Sequence, residues 1–98
     1  MQYLIITFDD GDIDWSSKNE ILKQEACHVL DLYKDGTLRN IWFTEKKDAI
    51  LIIEAENKTK ALDVVNNLPL VEKGLLSYSM NELLPYTGIE RIIHGTGQ

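Results

Sequence analysis

Cysteine is nearly absent from these 98 residues: Cys27 stands alone. One thiol cannot close an internal disulfide, which excludes the stapled scaffold of small secreted domains. Cys27 projects away from the apolar stripe of its segment and follows no glycine-rich helix start, so a nucleophilic role is not expected. Histidine is almost as scarce. His28 and His94 lack any zinc-type spacing, and there is neither a glycine-rich phosphate loop nor a nucleophile elbow. No metal or cofactor is therefore expected. Positive charge is also short, with 10 Lys and Arg against 16 Asp and Glu and a net charge of -6. The basic pair Lys46 and Lys47 lies beside Glu45 and Asp48, so neither nucleic acid nor an anionic membrane is an expected partner. No apolar run approaches the roughly 18–20 residues of a transmembrane helix. The start, Met1-Gln2-Tyr3-Leu4, lacks the basic region of a signal peptide, which leaves the cytoplasm as the expected location.

What is present reads as one domain over 1–98, with a core of about 2–84 and a C-terminal extension over 85–98. Residues 2–8 are β-branched and aromatic and end at Asp9-Asp10-Gly11-Asp12, a strand and a turn. Asp9, Asp10, Asp12 and Asp14 have the density of a calcium loop but not its glycine or its closing glutamate, and read as a solvated turn. A long helix is expected over 17–34, with Ser17 and Glu20 as a capping box. Its apolar face is expected at Leu22, Ala26, Val29, Leu30 and Tyr33, and Gly36 should end it. Strands follow over 37–44 and 48–55, joined by a hairpin at Glu45-Lys46-Lys47. Asn57 is placed to cap a second helix over 58–68, which Pro69 cannot continue, and a last strand is expected at about 74–82. The order βαββαβ is the ferredoxin-like arrangement, an α+β fold with two helices on one face of a four-stranded antiparallel sheet.

Such a sheet should be polar on its open face, and here it is apolar on both. Leu4, Ile6 and Phe8 oppose Tyr3 and Ile5. Ala49, Leu51 and Ile53 alternate with Ile50 and Ile52. The expected cover is a second copy of the chain, closing a dimeric α+β barrel. The alternative is that residues 83–94, with Leu83, Leu84, Ile89, Ile92 and Ile93, fold back over that face.

Gly36-Thr37-Leu38-Arg39-Asn40-Ile41-Trp42 after the long helix, and Leu68-Pro69-Leu70 after the second, resemble the muconolactone delta-isomerase family over roughly residues 2–84. The pattern is also similar to the wider dimeric α+β-barrel group, with YCII-like proteins and cofactor-free antibiotic-biosynthesis monooxygenases. Where that family follows the tryptophan with an arginine and a glycine-containing turn, this chain has Phe43-Thr44-Glu45-Lys46. Where it has an aromatic after Leu-Pro-Leu, this chain has Val71-Glu72. The resemblance implies a cofactor-independent, metal-free isomerase that moves a proton within a small unsaturated lactone or organic acid. Glu25, Arg39 and Trp42 are the residues it points to.

The residues themselves leave alternatives open. Glu25 and His28, three apart, share a helix face with Ile21 and Leu32. In a dry groove they could shuttle a proton; in water they are an ordinary surface pair. Arg39 could grip a substrate carboxylate with its fork, or make an ion pair. Trp42, Tyr3 and Tyr78 could line a substrate pocket, or serve packing. Three functions are thus in view: an isomerase-like enzyme, a non-catalytic oligomeric small-molecule-binding or scaffold protein, and a cofactor-free monooxygenase-like enzyme. A cavity with convergent polar groups separates the enzyme from the scaffold.

Overall fold

Alternation along the first strand decides which side of the sheet is buried. In the computed structural model, which describes residues 1–9 and 11–93, β1 (Gln2–Phe8) turns Tyr3, Ile5 and Thr7 inward. Leu4, Ile6 and Phe8 face the other way, as the period of two requires. β2 (Leu38–Phe43) and β3 (Ala49–Glu54) form a hairpin, and β4 (Ser77–Leu83) completes an antiparallel sheet of order β2-β3-β1-β4. Pairs such as Ile5↔Leu51 and Ile5↔Met80 set β1 at its centre. Asp10, His94 and the last four residues lie outside the described residues.

Helices α1 (Asn19–Lys34) and α2 (Lys58–Asn66) pack on the Tyr3–Ile5 face. The core joins Tyr3, Ile5, Leu38, Leu51 and Ile53 of the sheet to Ala61, Val65 and Leu68. The expected four-stranded antiparallel α+β fold is what forms. Asn57 caps α2 as expected, its side chain accepting the Lys60 N–H at 2.9 Å.

Several local expectations are corrected. The capping box at Ser17 does not form. Asp14 caps a 3-10 turn over Trp15–Ser17 by accepting the Ser16 N–H, and Ser17 donates its hydroxyl to the Asp14 carbonyl at 2.9 Å. With Ser17 used inside that turn, α1 begins two residues later, without a side-chain cap. Pro69 ends α2 but also opens a short helix, α3 (Pro69–Glu72), because the first helical position needs no N–H. The last strand starts at Ser77, not 74. Gly74 takes a φ of +76°, and Leu75 and Leu76 both donate to the Leu70 carbonyl, which holds them in a turn.

The face of α1 also differs. Val29 and Leu32 pack on the core, while Leu30 and Tyr33 are 51% and 58% exposed. The inward side is centred on Glu25, Val29 and Leu32, so the helix is rotated from the purely apolar stripe, and none of its residues is fully buried.

The open face keeps the apolar residues of its register: Ile6 pairs with Ile50, Leu4 with Ile52, and Trp42 with Ile50. As far as Ile93, the C-terminal segment does not cover it within the chain. Leu84, Tyr86, Ile92 and Ile93 are 70–80% exposed, and the molecule extends over 61 × 27 × 20 Å with a radius of gyration of 16.8 Å, against about 13 Å for a compact chain of this length.

The end of α1 offers a direct check. Gly36 has a φ of +85° with open space where a Cβ would stand, so the cost of Gly36→Ala is conformational alone. We expect a loss of about 1–2 kcal/mol in urea denaturation.

Candidate active site

Between α1 and the sheet lies a cavity of about 410 Å³. It exists because α1 stands off the strands. The helix contributes Leu22, Glu25, Ala26 and Val29, the strands Thr7, Ile41, Phe43, Ala49 and Leu51, and the α2–β4 connection Leu68, Leu70 and Leu76. Asp9, Trp15 and Lys47 complete the lining. The walls are thus mostly hydrocarbon with a few polar groups, the composition that binds small apolar ligands in a fixed orientation.

Glu25 is the central polar group. It is half-buried, and its Oε1 accepts the Leu70 N–H at 3.0 Å. That N–H is free because Leu70 follows Pro69 at the start of α3, where backbone donors have no helical acceptor. The Leu-Pro-Leu segment and the glutamate of α1 therefore form one unit. Burial raises the Glu25 carboxyl above the ordinary glutamate value, opposed by the Leu70 N–H and, to a lesser degree, by His28. A carboxyl raised by desolvation and held at one oxygen is suited to exchanging a proton through the other.

Thr7 is 3% exposed, and its Oγ1 accepts the Ala49 N–H at 3.2 Å. Here a side chain extends the β1–β3 ladder beyond its last backbone pair, Ile6↔Ile50. The hydroxyl hydrogen of Thr7 remains available for donation. Lys47 closes the β2–β3 turn with a φ of +69°. In the acidic loop, Gly11 donates to Asp9 Oδ1 at 2.9 Å.

Of the residues singled out from the sequence, Glu25 is the one that lines the cavity. His28 lies outside it, in a shallow groove with Cys27, Lys23 and Pro69. Arg39 is exposed at a bulge in β2, between Leu38 and Asn40. Its charge is felt at Glu54, whose carboxyl is lowered mainly by the hydrogen-bonded terminal amine and least by Arg39. Trp42 is 54% exposed on the open face. Tyr3 is core, 1% exposed. Tyr78 packs on the core and donates to Asn66 Oδ1 at 2.8 Å. Trp15, Lys47 and Thr7 were not anticipated. A tryptophan in a polar loop was a usable signal for the first, but a lysine in a hairpin gives none.

Two solved structures share this architecture. Muconolactone isomerase superposes with a TM-score of 0.77 at 14% identity, covering 90% of this chain and 93% of that one. The fold is that of muconolactone isomerase. The 5-chloro-2-hydroxyhydroquinone dehydrochlorinase of Burkholderia phenoliruptrix, solved with 2,5-dihydroxybenzoquinone, superposes with a TM-score of 0.70 at 18% identity, covering 86% and 94% of the two chains. No protein-family profile matches the sequence, and neither does any curated protein sequence. The muconolactone isomerase-like scaffold expected from Gly36–Trp42 and Leu68–Leu70 is thus present. No helix among the described residues is long and apolar enough to cross a membrane.

The raised Glu25 carboxyl makes stability depend on pH with a defined sign. The folded chain holds this proton more tightly than the unfolded chain. Stability therefore falls as pH rises from the ordinary glutamate range through the raised folded value, and levels off above it. Glu25→Gln keeps an acceptor for Leu70 and removes the titration. The variant should gain stability over the wild type above that window, and the difference should close below it, in urea denaturation from pH 3 to pH 8.

Proposed function

We propose that the protein is a cofactor-independent isomerase-like enzyme that moves a proton within a small unsaturated lactone or ring acid, with Glu25 as the group that carries it. The observation behind this reading is the Glu25 carboxyl: it lines a mostly apolar, partly open cavity and is anchored by the Leu70 N–H. In the reaction, Glu25 takes a proton from a carbon beside a carbonyl, and the C–H electron pair passes into an enolate. The same carboxyl returns the proton to a different carbon, so that a double bond moves with no net change in oxidation state. Such a step asks for one positioned base and a dry site. The shared fold with muconolactone isomerase supports this choice of reaction class.

We further propose that the working unit is a cytoplasmic homodimer or larger homo-oligomer closed over the open sheet face. Leu4, Ile6, Ile50 and Ile52 form an apolar centre there, flanked by Trp42. In that assembly Trp42 becomes an interface residue, Tyr78 supports the site from outside the cavity, Arg39 takes no part in it, and His28 tunes Glu25 through its charge. Tyr3 acts through the core.

The tests are separate. Muconolactone is the first substrate to try, with deuterium wash-in from D₂O followed by NMR. Glu25→Gln should lower turnover by about 10²–10⁴-fold while leaving the fold intact. Unchanged exchange would end the assignment, and binding without exchange in the wild type would favour a non-catalytic small-molecule-binding protein. For the assembly, Ile50→Lys should convert the oligomer to monomer in sedimentation, since a charge on a buried apolar face is strongly disfavoured.

A further inference from the structure

We propose that Lys47 holds the anionic end of the ligand, so that the cavity selects a ring or lactone carrying a carboxylate, seated with that group at the β2–β3 turn. This rests on the reading of the cavity as a substrate site. Lys47 is the one cation among the described residues that line it, and it is exposed, so its ammonium stands where the cavity meets solvent. The sequence analysis looked to Arg39 for this task, but Arg39 lies outside the cavity.

The backbone at Lys47 supports the assignment. Its φ of +69° is the left-handed conformation that glycine adopts freely and a side-chain-bearing residue adopts at a cost. The turn itself is built by Thr44. The Thr44 N–H donates to the Asp48 carbonyl at 2.8 Å, and the Thr44 carbonyl accepts the Lys47 N–H at 2.9 Å. Thr44 Oγ1 also accepts the Lys46 and Asp48 N–H groups, both at 3.2 Å. None of these bonds uses the lysine side chain, and glycine would close the same turn with less strain. The position therefore carries a side chain that folding does not ask for, at the mouth of the cavity, on a backbone fixed by four hydrogen bonds.

Among the described residues no carboxylate lies within 4.0 Å of the Lys47 ammonium, although Glu45 and Asp48 flank it in sequence. Asp9 and Glu25, the other ionisable lining groups, are acids. Glu25 disfavours an anion along the α1 wall, whereas Asp9 continues β1 toward the β2–β3 turn, so an anion there has only Lys47 to compensate that charge. A ligand held so would present its ring to the helix wall that carries Glu25.

The test is an NMR titration of the full chain with benzoate and with benzamide, which share a ring and differ in charge, using the Trp15 indole N–H as reporter. The wild type should prefer benzoate by roughly tenfold, the scale of one charge-assisted contact. Lys47→Met and Lys47→Gly should both lose that preference, and Arg39→Met should keep it. Lys47→Gly should keep or raise the urea midpoint, which separates a binding role from a structural one. A preference that survives in both Lys47 variants overturns the assignment, as does a wild type that binds neither probe or both equally. If Glu25→Gln leaves proton exchange intact while the Lys47 variants lose benzoate preference, the proton-transfer reading fails and the anchor stands.

Discussion

The hydrogen bond from the Leu70 amide to Glu25 ties α1 to the rest of the molecule in a way that hydrophobic burial does not. No residue of α1 is fully buried. Val29 and Leu32 touch the core from one side, and the helix stands away from the strands over the rest of its inward face. Such a helix has weak control over its rotation. A bond from a half-buried carboxylate to a fixed amide 45 positions away supplies that control. Pro69 makes the amide available: it starts α3 without a donor of its own and leaves Leu70 as the first N–H in need of a partner. Removing the bond would leave a buried amide unsatisfied, at about 1–3 kcal/mol, and would free α1 to roll toward the sheet and close the cavity.

The sheet imposes the second constraint. With β1 central and apolar on both sides, the helices cover only Tyr3, Ile5 and their neighbours. The opposite face, built on Leu4, Ile6, Ile50 and Ile52, stays half-exposed. Burial of such side chains is worth about 25 cal/mol per Å², and an apolar patch of this kind on a small chain is the usual mark of an interface. The cavity and this face lie on opposite sides of one sheet. A partner seated on the open face would therefore leave the cavity unobstructed.

Strong periodicity and punctuation were legible in advance. The alternation in β1 and β3, the Asn57 cap and the left-handed Gly36 place four strands and two helices within a few residues of where they lie. The register of Ile50 and Ile52 against Leu4 and Ile6 follows from the same alternation. What escaped did so for local reasons. Ser17 is used inside a 3-10 turn capped by Asp14, so α1 starts after it without a side-chain cap, which spacing alone does not reveal. The apolar spacing on α1 runs through Leu30 and Tyr33, and it passes over the neighbouring face because that face carries the polar Glu25 and His28. That face is inward all the same, and the glutamate on it is the polar centre of the cavity. His28, Arg39 and Trp42 were judged by residue type and family position, and neither carries information on which side of a sheet or helix a side chain finishes.

Two solved proteins with this fold, an isomerase and a dehydrochlorinase, are named for different reactions, so the scaffold does not by itself choose the chemistry. The choice falls to the residues that depart from what folding prefers. Glu25 stands on the inward side of its helix among apolar neighbours, and its carboxyl is destabilised in the charged form by burial. Lys47 occupies a turn position where glycine would be less strained. Each departure taken alone has an ordinary explanation: a polar residue beside a groove, or a tolerated left-handed lysine. They occur on two walls of the same cavity, one on α1 and one on the β2–β3 turn, and the rest of its lining is mostly apolar. Local rules are broken most often where a site needs them broken. A carboxyl on one wall and a cation on another are the two charged groups by which the proposed site would orient a small acid.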